Sequence, residues 1–293
     1  MRLLLMWLAV VAIAPAAMAD IRLLDDSSRE IRLAHPAQRI VSLAPHLTEL
    51  LFAAGAGSRV IAAVAYSDYP PPAARLPRIG SGHSLDLEAI VAARPDLIIA
   101  WGSGNPPRQV ERLRALGLKV FSLEVRALAE IPAALERIGT LAGTEAQANV
   151  TAARLRARQT ALGERYGASR ELRVFYQLLD EALMTVNGAH LISDVLRQCG
   201  ATNVFANLPL LTARVDIEAV LAARPQAIVA GGEERLWRTW RERWQRRREL
   251  PAVASGALYF VPADLMHRPG PRVFDAAEQV CAQLDAARRL ARR

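Results

Sequence analysis

The residues best suited to chemistry are scattered through the 293-residue sequence and match no catalytic motif. Residues 80–84 (GSGHS) could be drawn as a nucleophile loop, but no histidine and carboxylate can be named to complete a triad. Residues 102–104 (GSG) match only the start of a dinucleotide-binding fingerprint, because Pro106 and Pro107 replace the rest. The histidines have no zinc-motif spacing; they are His35, His46, His83, His190 and His267. The sequence therefore predicts no enzyme, no catalytic cofactor and no metal site.

The N-terminus indicates export. Arg2 precedes an apolar stretch over residues 3–17, which is shorter than the about 20 residues that a membrane-spanning helix needs. The small-residue sequence AMA at 17–19 forms a cleavage site before Asp20. We therefore expect a signal peptide over residues 1–19 that is removed. The mature chain would carry no lipid anchor, because residue 20 is not a cysteine.

Export also bears on the two cysteines. In an oxidising compartment, the pair Cys199 and Cys281 predicts a structural disulfide. A metal-binding pair or a catalytic nucleophile is the alternative, although no CxxC or HxxxH spacing supports either.

Strand and helix patterns alternate on both sides of a long helical stretch over residues 131–166. Near Gly139 and Gly143 that stretch is interrupted, and its second part would form a rod about 30 Å long. Strands are expected over residues 39–43, 60–65, 97–100, 119–123 and 173–178, and helices over 48–54, 86–93 and 109–116. This alternation predicts an α/β fold with two Rossmann-like lobes joined by a single long helix. The expected domains are an N-terminal lobe over 20–130, a helical connector over 131–168 and a C-terminal lobe over 169–293.

An internal repeat supports the two lobes. Residues 85–100 read LDLEAIVAARPDLIIA and residues 215–230 read VDIEAVLAARPQAIVA, with nine of 16 positions identical. The 130-residue period is far longer than the 20–50 residues of solenoid repeats. Each copy predicts a capped helix followed by a buried strand, and duplicated lobes commonly hold a ligand in the cleft between them.

The formal net charge of +8 arises from 37 basic and 29 acidic residues. Lys119 is the sole lysine, and the arginines are spread over predicted helices, so we expect no nucleic-acid partner for this exported chain. The arginines at 246–248 are interpreted as a solvated helix end. Trp237, Trp240 and Trp244 would form the core-facing stripe of an amphipathic helix on the second lobe.

Four segments of the chain resemble one known family. They are RIVSLAPHLTE at 39–49, YSDYPP at 66–71, LDLEAIVAARPDLIIAW at 85–101 and RPGPR at 268–272. These segments resemble the helical-backbone substrate-binding proteins of ABC importers and, more narrowly, the cobalamin-binding branch. The resemblance implies a periplasmic monomer that holds cobalamin or a related corrinoid in the interlobe cleft and delivers it to a permease dimer in the inner membrane.

The resemblance also assigns roles to individual residues. Tyr66 and Trp101 fall where that branch has aromatic pocket walls, and flat amphipathic rings suit packing against a corrin. Asp264 and Arg268 match polar contacts from the second lobe, and Met184 would pack on the ring as a flexible apolar group. Cys199 and Cys281 match the disulfide of the family.

Three positions depart from the pattern of the branch, because Gly82, Met184 and Thr212 stand where it has further aromatic walls. Met184 can still pack on a corrin, but Gly82 and Thr212 cannot replace a tryptophan, so the cleft is expected to be wider or less aromatic. Haem or a ferric siderophore is therefore the alternative ligand, with Tyr66 or His83 facing the iron. A secreted hydrolase on a two-lobed scaffold is a more distant alternative that lacks a nucleophile–base pair.

Glu88 and Glu218 occupy the same place in the two repeats, two residues after the capping Asp86 and Asp216. A carboxylate in a first helical turn favours the helix dipole by about 0.3–1 kcal/mol, which alone could explain both. The resemblance implies a second role, in which these exposed glutamates dock onto arginines of the two permease subunits.

Overall fold

The computed structural model describes residues 20–178 and 183–290. The predicted signal peptide over residues 1–19 lies outside the described residues. Within the described ranges, no helix is both long and apolar enough to cross a membrane. The predicted α/β fold class is confirmed, with two parallel sheets and helices packed around them.

The first lobe is built around a parallel sheet with buried strands. Its elements in chain order are β1 (Ile21–Leu24), β2 (Glu30–Leu33), β3 (Ile40–Ser42), α1 (Pro45–Ala53), β4 (Val60–Ala63), β5 (Gly80–Ser81), β6 (Ser84–Leu85), α2 (Leu87–Ala92), β7 (Leu97–Trp101), α3 (Pro107–Ala115) and β8 (Val120–Leu123). The strand order of the sheet is β4-β3-β7-β8, and every pairing is parallel. Helix α1 begins three residues earlier than predicted, because Pro45 fits the first turn, where its missing N–H would have no partner.

The predicted connector contains two helices, α4 (Glu130–Ala142) and α5 (Glu145–Tyr166), rather than a single long helix, because the chain breaks at Gly143 and Thr144. Gly143 adopts a φ of 61° and ends α4, a left-handed conformation that glycine adopts without steric cost. The 22 residues of α5 form a rod about 33 Å long. One cluster of buried apolar side chains runs from Leu33 through Leu135 and Leu155 to Leu284 in the C-terminal part of the chain. The connector is therefore part of a hydrophobic core shared by both lobes.

The second lobe repeats the design of the first. Its elements are β9 (Leu172–Gln177), β10 (Met184–Val186), α6 (Leu191–Gln198), β11 (Ala201–Asn203), β12 (Thr212–Arg214), α7 (Ile217–Ala223), β13 (Ala227–Gly232), α8 (Trp237–Gln245), α9 (Pro251–Ala254), β14 (Leu258–Pro262), α10 (Ala263–Met266) and α11 (Val273–Leu290). The main sheet has the order β11-β9-β13-β14 and is again parallel.

The two copies of the repeat occupy equivalent places in the two sheets. The carboxylate of Asp86 accepts a hydrogen bond from the amide of Ala89 at 2.9 Å, and Asp216 accepts one from Ala219 at 2.7 Å. Each aspartate thus caps the helix that it precedes, as predicted. The strands that follow, β7 and β13, lie in the interior of their sheets.

The predicted disulfide between Cys199 and Cys281 is confirmed, and both residues are fully buried. It joins the end of α6 to α11 across a sequence separation of 82 residues. Closing a loop of that length stabilises the fold by about 4–5 kcal/mol in the chain-entropy model. Arg288 reinforces the junction by donating to the carbonyl oxygens of Cys199 and Gly200.

The tryptophan stripe of α8 also packs as predicted. Trp240 and Trp244 are buried, and both indole N–H groups donate to the side-chain oxygen of Gln177, at 2.8 and 3.0 Å. Trp237 stacks on Trp240 with ring centroids 5.0 Å apart. These contacts fasten α8 to the sheet through β9, away from the interlobe cleft.

Candidate functional site

A cavity of about 650 Å³ lies between the two lobes. Both sheets direct the carboxyl ends of their strands toward it, which is where ligands bind in open parallel sheets. The first lobe contributes His83 and residues at the ends of β7 and β8. The second lobe contributes residues that follow β9 and β10, residues at the start of β12 and residues at the end of α10. The lining residues include His83, Trp101, Ser103, Glu124, Arg126, Leu178, His190, Leu211, Thr212, Met266 and His267.

Trp101 forms the aromatic part of the first wall at the end of β7. Its ring lies so close to Gly104 that a Cβ at that position would overlap it, which explains the glycine. On another side the ring meets His46 edge to face, with centroids 5.1 Å apart. The side-chain oxygen of Asn105 accepts from the Trp101 amide at 2.7 Å, while its nitrogen donates to the Leu43 carbonyl. The indole is therefore held in place before any ligand arrives.

A second pair of side chains makes the first wall polar. Glu124 accepts from the amide and the hydroxyl of Ser103, at 2.7 and 3.0 Å. Arg126 lies beside Glu124, with its Nε 3.4 Å from the carboxylate, and its side chain is half exposed. The rim of this wall therefore offers both a carboxylate and a guanidinium to a ligand.

The second wall contains two histidines that stay neutral. His190 caps α6 by accepting from the amide of Ile192 at 3.1 Å, and burial together with the nearby Arg126 lowers its pKa to about 4. His267 lies 2.9 Å from the hydroxyl of Tyr176, and burial lowers its pKa to about 4, with His190 adding to the effect. Both rings therefore present uncharged surfaces to the cleft at neutral pH.

A group of charged side chains joins the two lobes. Glu49 of α1 belongs to the first lobe, yet its side chain is only 2% exposed. It accepts two hydrogen bonds from Arg272, at 2.9 and 2.6 Å, and one from Arg268 at 3.3 Å. Arg268 also binds Asp68 at 2.6 Å and Asp264 at 3.0 Å. The RPGPR segment thus ties the second lobe to α1 of the first through a buried carboxylate.

The predicted ligand-binding residues lie at different depths. Trp101 lines the cavity, and Arg268 lies next to the lining residue His267 but is engaged by carboxylates. Asp264 is exposed and pairs with Arg268. Tyr66 is 76% exposed outside the cavity lining, and Met184 pairs with Arg214 between β10 and β12. Direct contact of these residues with a ligand stays a prediction.

Other predicted positions are also located by the structure. Thr212 lines the cavity, and Gly82 lies beside His83 in the turn between β5 and β6. Glu88 and Glu218 are exposed in the first turns of α2 and α7, one on each lobe. Among the described residues, no group of three or more histidines, cysteines or carboxylates could hold a metal ion.

Sequence reasoning did not single out Glu49, Asn105, His190 or His267. Glu49 lies within RIVSLAPHLTE, one of the segments that resemble the family, and a glutamate amid apolar residues could have signalled a buried ion pair. Nothing in the sequence brings it near residues 268–272, because more than 200 positions separate them.

Comparison with known proteins shows that most of the chain is similar to one family. The family model for periplasmic binding proteins matches residues 40–265. The vitamin B12-binding protein of Vibrio cholerae serotype O1 is 37% identical over 260 residues, covering 87% of this chain and 91% of that protein. The protein of the same name from Pectobacterium carotovorum subsp. carotovorum is 38% identical over 254 residues, covering 85% of this chain and 89% of that protein.

Solved structures agree with the sequence comparison. The crystal structure of the periplasmic vitamin B12 binding protein BtuF of Vibrio cholerae matches with a TM-score of 0.79 at 37% identity, covering 86% of this chain and 98% of that chain. The periplasmic haem-binding protein BhuT, solved with two haems, has a TM-score of 0.76 but only 20% identity, covering 86% and 99%. At 20% identity, the similarity to BhuT shows a shared fold and nothing further.

Neutralising Glu49 should destabilise the protein. In Glu49→Gln, Arg272 would lose the carboxylate that pairs with it at the lobe boundary, while Arg268 would keep Asp68 and Asp264. Breaking a buried ion pair typically costs about 3–5 kcal/mol. Thermal unfolding should show a clearly lower Tm. Asp264→Asn is the matched control, because its carboxylate belongs to the same group but is 62% exposed and should matter by less than about 1 kcal/mol. Equal effects of the two variants would contradict a structural role for Glu49.

Three histidines that folding buries wholly or in part predict a loss of stability in mild acid. His46, His190 and His267 have pKa values lowered to about 3, 4 and 4, with burial the main cause, whereas histidines in the unfolded chain titrate near 6.5. Between about pH 6.5 and 4 the unfolded chain binds protons that the folded chain does not. The free energy of unfolding should therefore fall as the pH falls through that window, by at most about 1.4 kcal/mol per pH unit for each histidine.

The variant His190→Asn separates this effect from packing. Asparagine can still cap α6 but does not titrate, so Tm should depend less steeply on pH than in the wild type. His35→Asn changes an exposed histidine and should leave the slope as it is. A slope unaffected by His190→Asn would show that His190 is not a buried neutral group.

Proposed function

The chain belongs to the periplasmic binding protein family, and from that premise we propose that it captures cobalamin or a closely related corrinoid in the interlobe cleft and delivers it to an ABC permease. The observation that carries the proposal is the preformed cleft, with Trp101 held in its wall, in a chain 37% identical to a vitamin B12-binding protein. The role is binding rather than catalysis, and cobalamin is cargo rather than a cofactor.

The composition of the cleft suits a large amphipathic ring. Trp101, Leu178 and Leu211 offer apolar surface for the flat part of a corrin, while Glu124 and Arg126 offer polar partners for its peripheral amides. Stacking on a held indole costs little ordering entropy, because the ring already has its final orientation. Tyr66, Met184, Asp264 and Arg268 would then contact those parts of the ligand that extend beyond the cavity.

Haem remains the alternative cargo because proteins of the same fold carry it, as BhuT does. One observation favours the corrinoid: the haem-binding structure shares only 20% identity with this chain, and the vitamin B12-binding relatives share 37–38%.

Delivery to the permease is proposed to use Glu88 and Glu218. They lie at equivalent places in the two lobes and are exposed, and the shared core makes their separation a fixed property of the molecule. A permease with two related subunits could present one arginine site to each glutamate. We propose that the mature protein acts as a monomer in the periplasm after removal of its signal peptide.

Removing the indole of Trp101 should weaken cobalamin binding. In Trp101→Ala the loss of a held aromatic surface predicts about 1–3 kcal/mol weaker binding, measured by isothermal titration calorimetry. Tyr66→Ala should weaken binding less, since this side chain lies at the rim. Trp237→Ala removes an indole outside the cleft and should bind as the wild type does. Unchanged affinity in Trp101→Ala would contradict the assignment of this wall.

Reversing both docking charges should separate capture from transport. In the double variant Glu88→Arg and Glu218→Arg, cobalamin affinity should stay within error of the wild type. Uptake by cells and stimulation of ATP hydrolysis by the permease should both be lost, because like charges would face each other. Added salt should partly reproduce the loss with the wild type. Normal uptake by the double variant would contradict docking and leave the two glutamates only a favourable interaction with the helix dipole.

A further inference from the structure

Three histidines line the cleft, and their ring nitrogens differ in their hydrogen-bond partners. His190 accepts from the Ile192 amide through Nδ1, so the neutral ring carries its proton on Nε2 and is a donor. His267 has its Nε2 engaged by the hydroxyl of Tyr176. Across residues 20–178 and 183–290, the side chain of His83 forms no hydrogen bond or ion pair. Of the three, His83 therefore has both ring nitrogens available to a ligand.

The turn that carries His83 is held at several points. Gly80 has a φ of 92°, and a Cβ there would overlap the carbonyl oxygen of Ser84, so only glycine fits. The side-chain nitrogen of Asn105 donates to the Gly82 carbonyl at 3.0 Å. The amide of Leu85 donates to the side chain of Gln109, also at 3.0 Å. These contacts fix the backbone of the turn, so the imidazole projects from a rigid support rather than from a loose loop.

The position next to His83 in the turn is open. A Cβ added to Gly82 would meet only the Leu43 carbonyl oxygen, at 4.0 Å. The face of a macrocycle in the cleft can therefore come close to the neighbouring imidazole without a side chain in between.

We propose that His83 coordinates the cobalt at the centre of the bound corrinoid through a ring nitrogen. Imidazole is the most common protein ligand of transition metals, and a nitrogen lone pair suits cobalt. In this step the bond between cobalt and an axial water breaks, and a bond from the lone pair of the neutral ring forms. The water leaves, cobalt stays in the trivalent state, and no electron or proton is transferred. The inference rests on the proposed function and makes corrinoids with exchangeable axial water the preferred cargo.

The proposal is tested with two forms of one corrinoid that lacks a nucleotide base. Diaquocobinamide has exchangeable axial waters, whereas dicyanocobinamide in the presence of free cyanide has its axial positions blocked. Each is titrated into the wild type, His83→Gln and the control His35→Gln, which removes an exposed imidazole elsewhere on the first lobe. Binding is followed by calorimetry, and coordination by the visible absorption bands of the corrin.

The expected result is a shift of the diaquocobinamide bands on binding to the wild type and to His35→Gln. His83→Gln should bind the same corrinoid more weakly and without that shift, and dicyanocobinamide should bind all three proteins without one. If the absorption shift persists in His83→Gln, or if the wild type binds diaquocobinamide without a shift, coordination by His83 is overturned. Corrinoid capture is unaffected by either outcome. If the wild type binds neither form, coordination by His83 is overturned; if it then also fails to bind cobalamin, corrinoid capture is overturned with it.

Discussion

The carboxylate of Glu49 is buried where the two lobes meet and receives hydrogen bonds from Arg268 and Arg272. A buried carboxylate is tolerable only while its partners remain in reach, so the lobes cannot separate at this point without exposing an unpaired charge. Arg272 also stacks 4.0 Å above the ring of Tyr69, which extends the contact along the first lobe. The relative position of the lobes, and with it the shape of the cleft, depends on this junction.

A fixed junction has consequences for capture and for delivery. The cleft is formed before the ligand arrives, so binding energy is not spent on closing a hinge. The shared apolar core through Leu135 and Leu155 also holds the lobes in a fixed relative position, because sliding one lobe past the other would disrupt close packing. A rigid body also keeps Glu88 and Glu218 at a constant separation, which a two-fold permease could recognise whether or not the cleft is occupied. Release of the ligand would then require work by the permease.

Much of the fold could be predicted because its signals are local. The caps at Asp86 and Asp216, and the position of Trp101 at a strand end, follow from neighbouring residues. The site was harder to predict, because its geometry depends on contacts between distant segments. From its residue type, Glu49 would be expected at the surface. Its burial is explained only by the arginines of residues 268–272, which the fold brings to it. His190 and His267 become a neutral pair only because folding removes much of each ring from water.

The central claim is that this cleft selects a corrinoid over haem, and competitive calorimetry tests it most directly. The purified mature protein is titrated with cobalamin alone, with haem alone, and with cobalamin after saturation by haem. The account predicts one cobalamin per chain, weaker or absent haem binding, and a cobalamin titration that haem does not suppress. Tight binding of haem together with no measurable binding of cobalamin or cobinamide would contradict it.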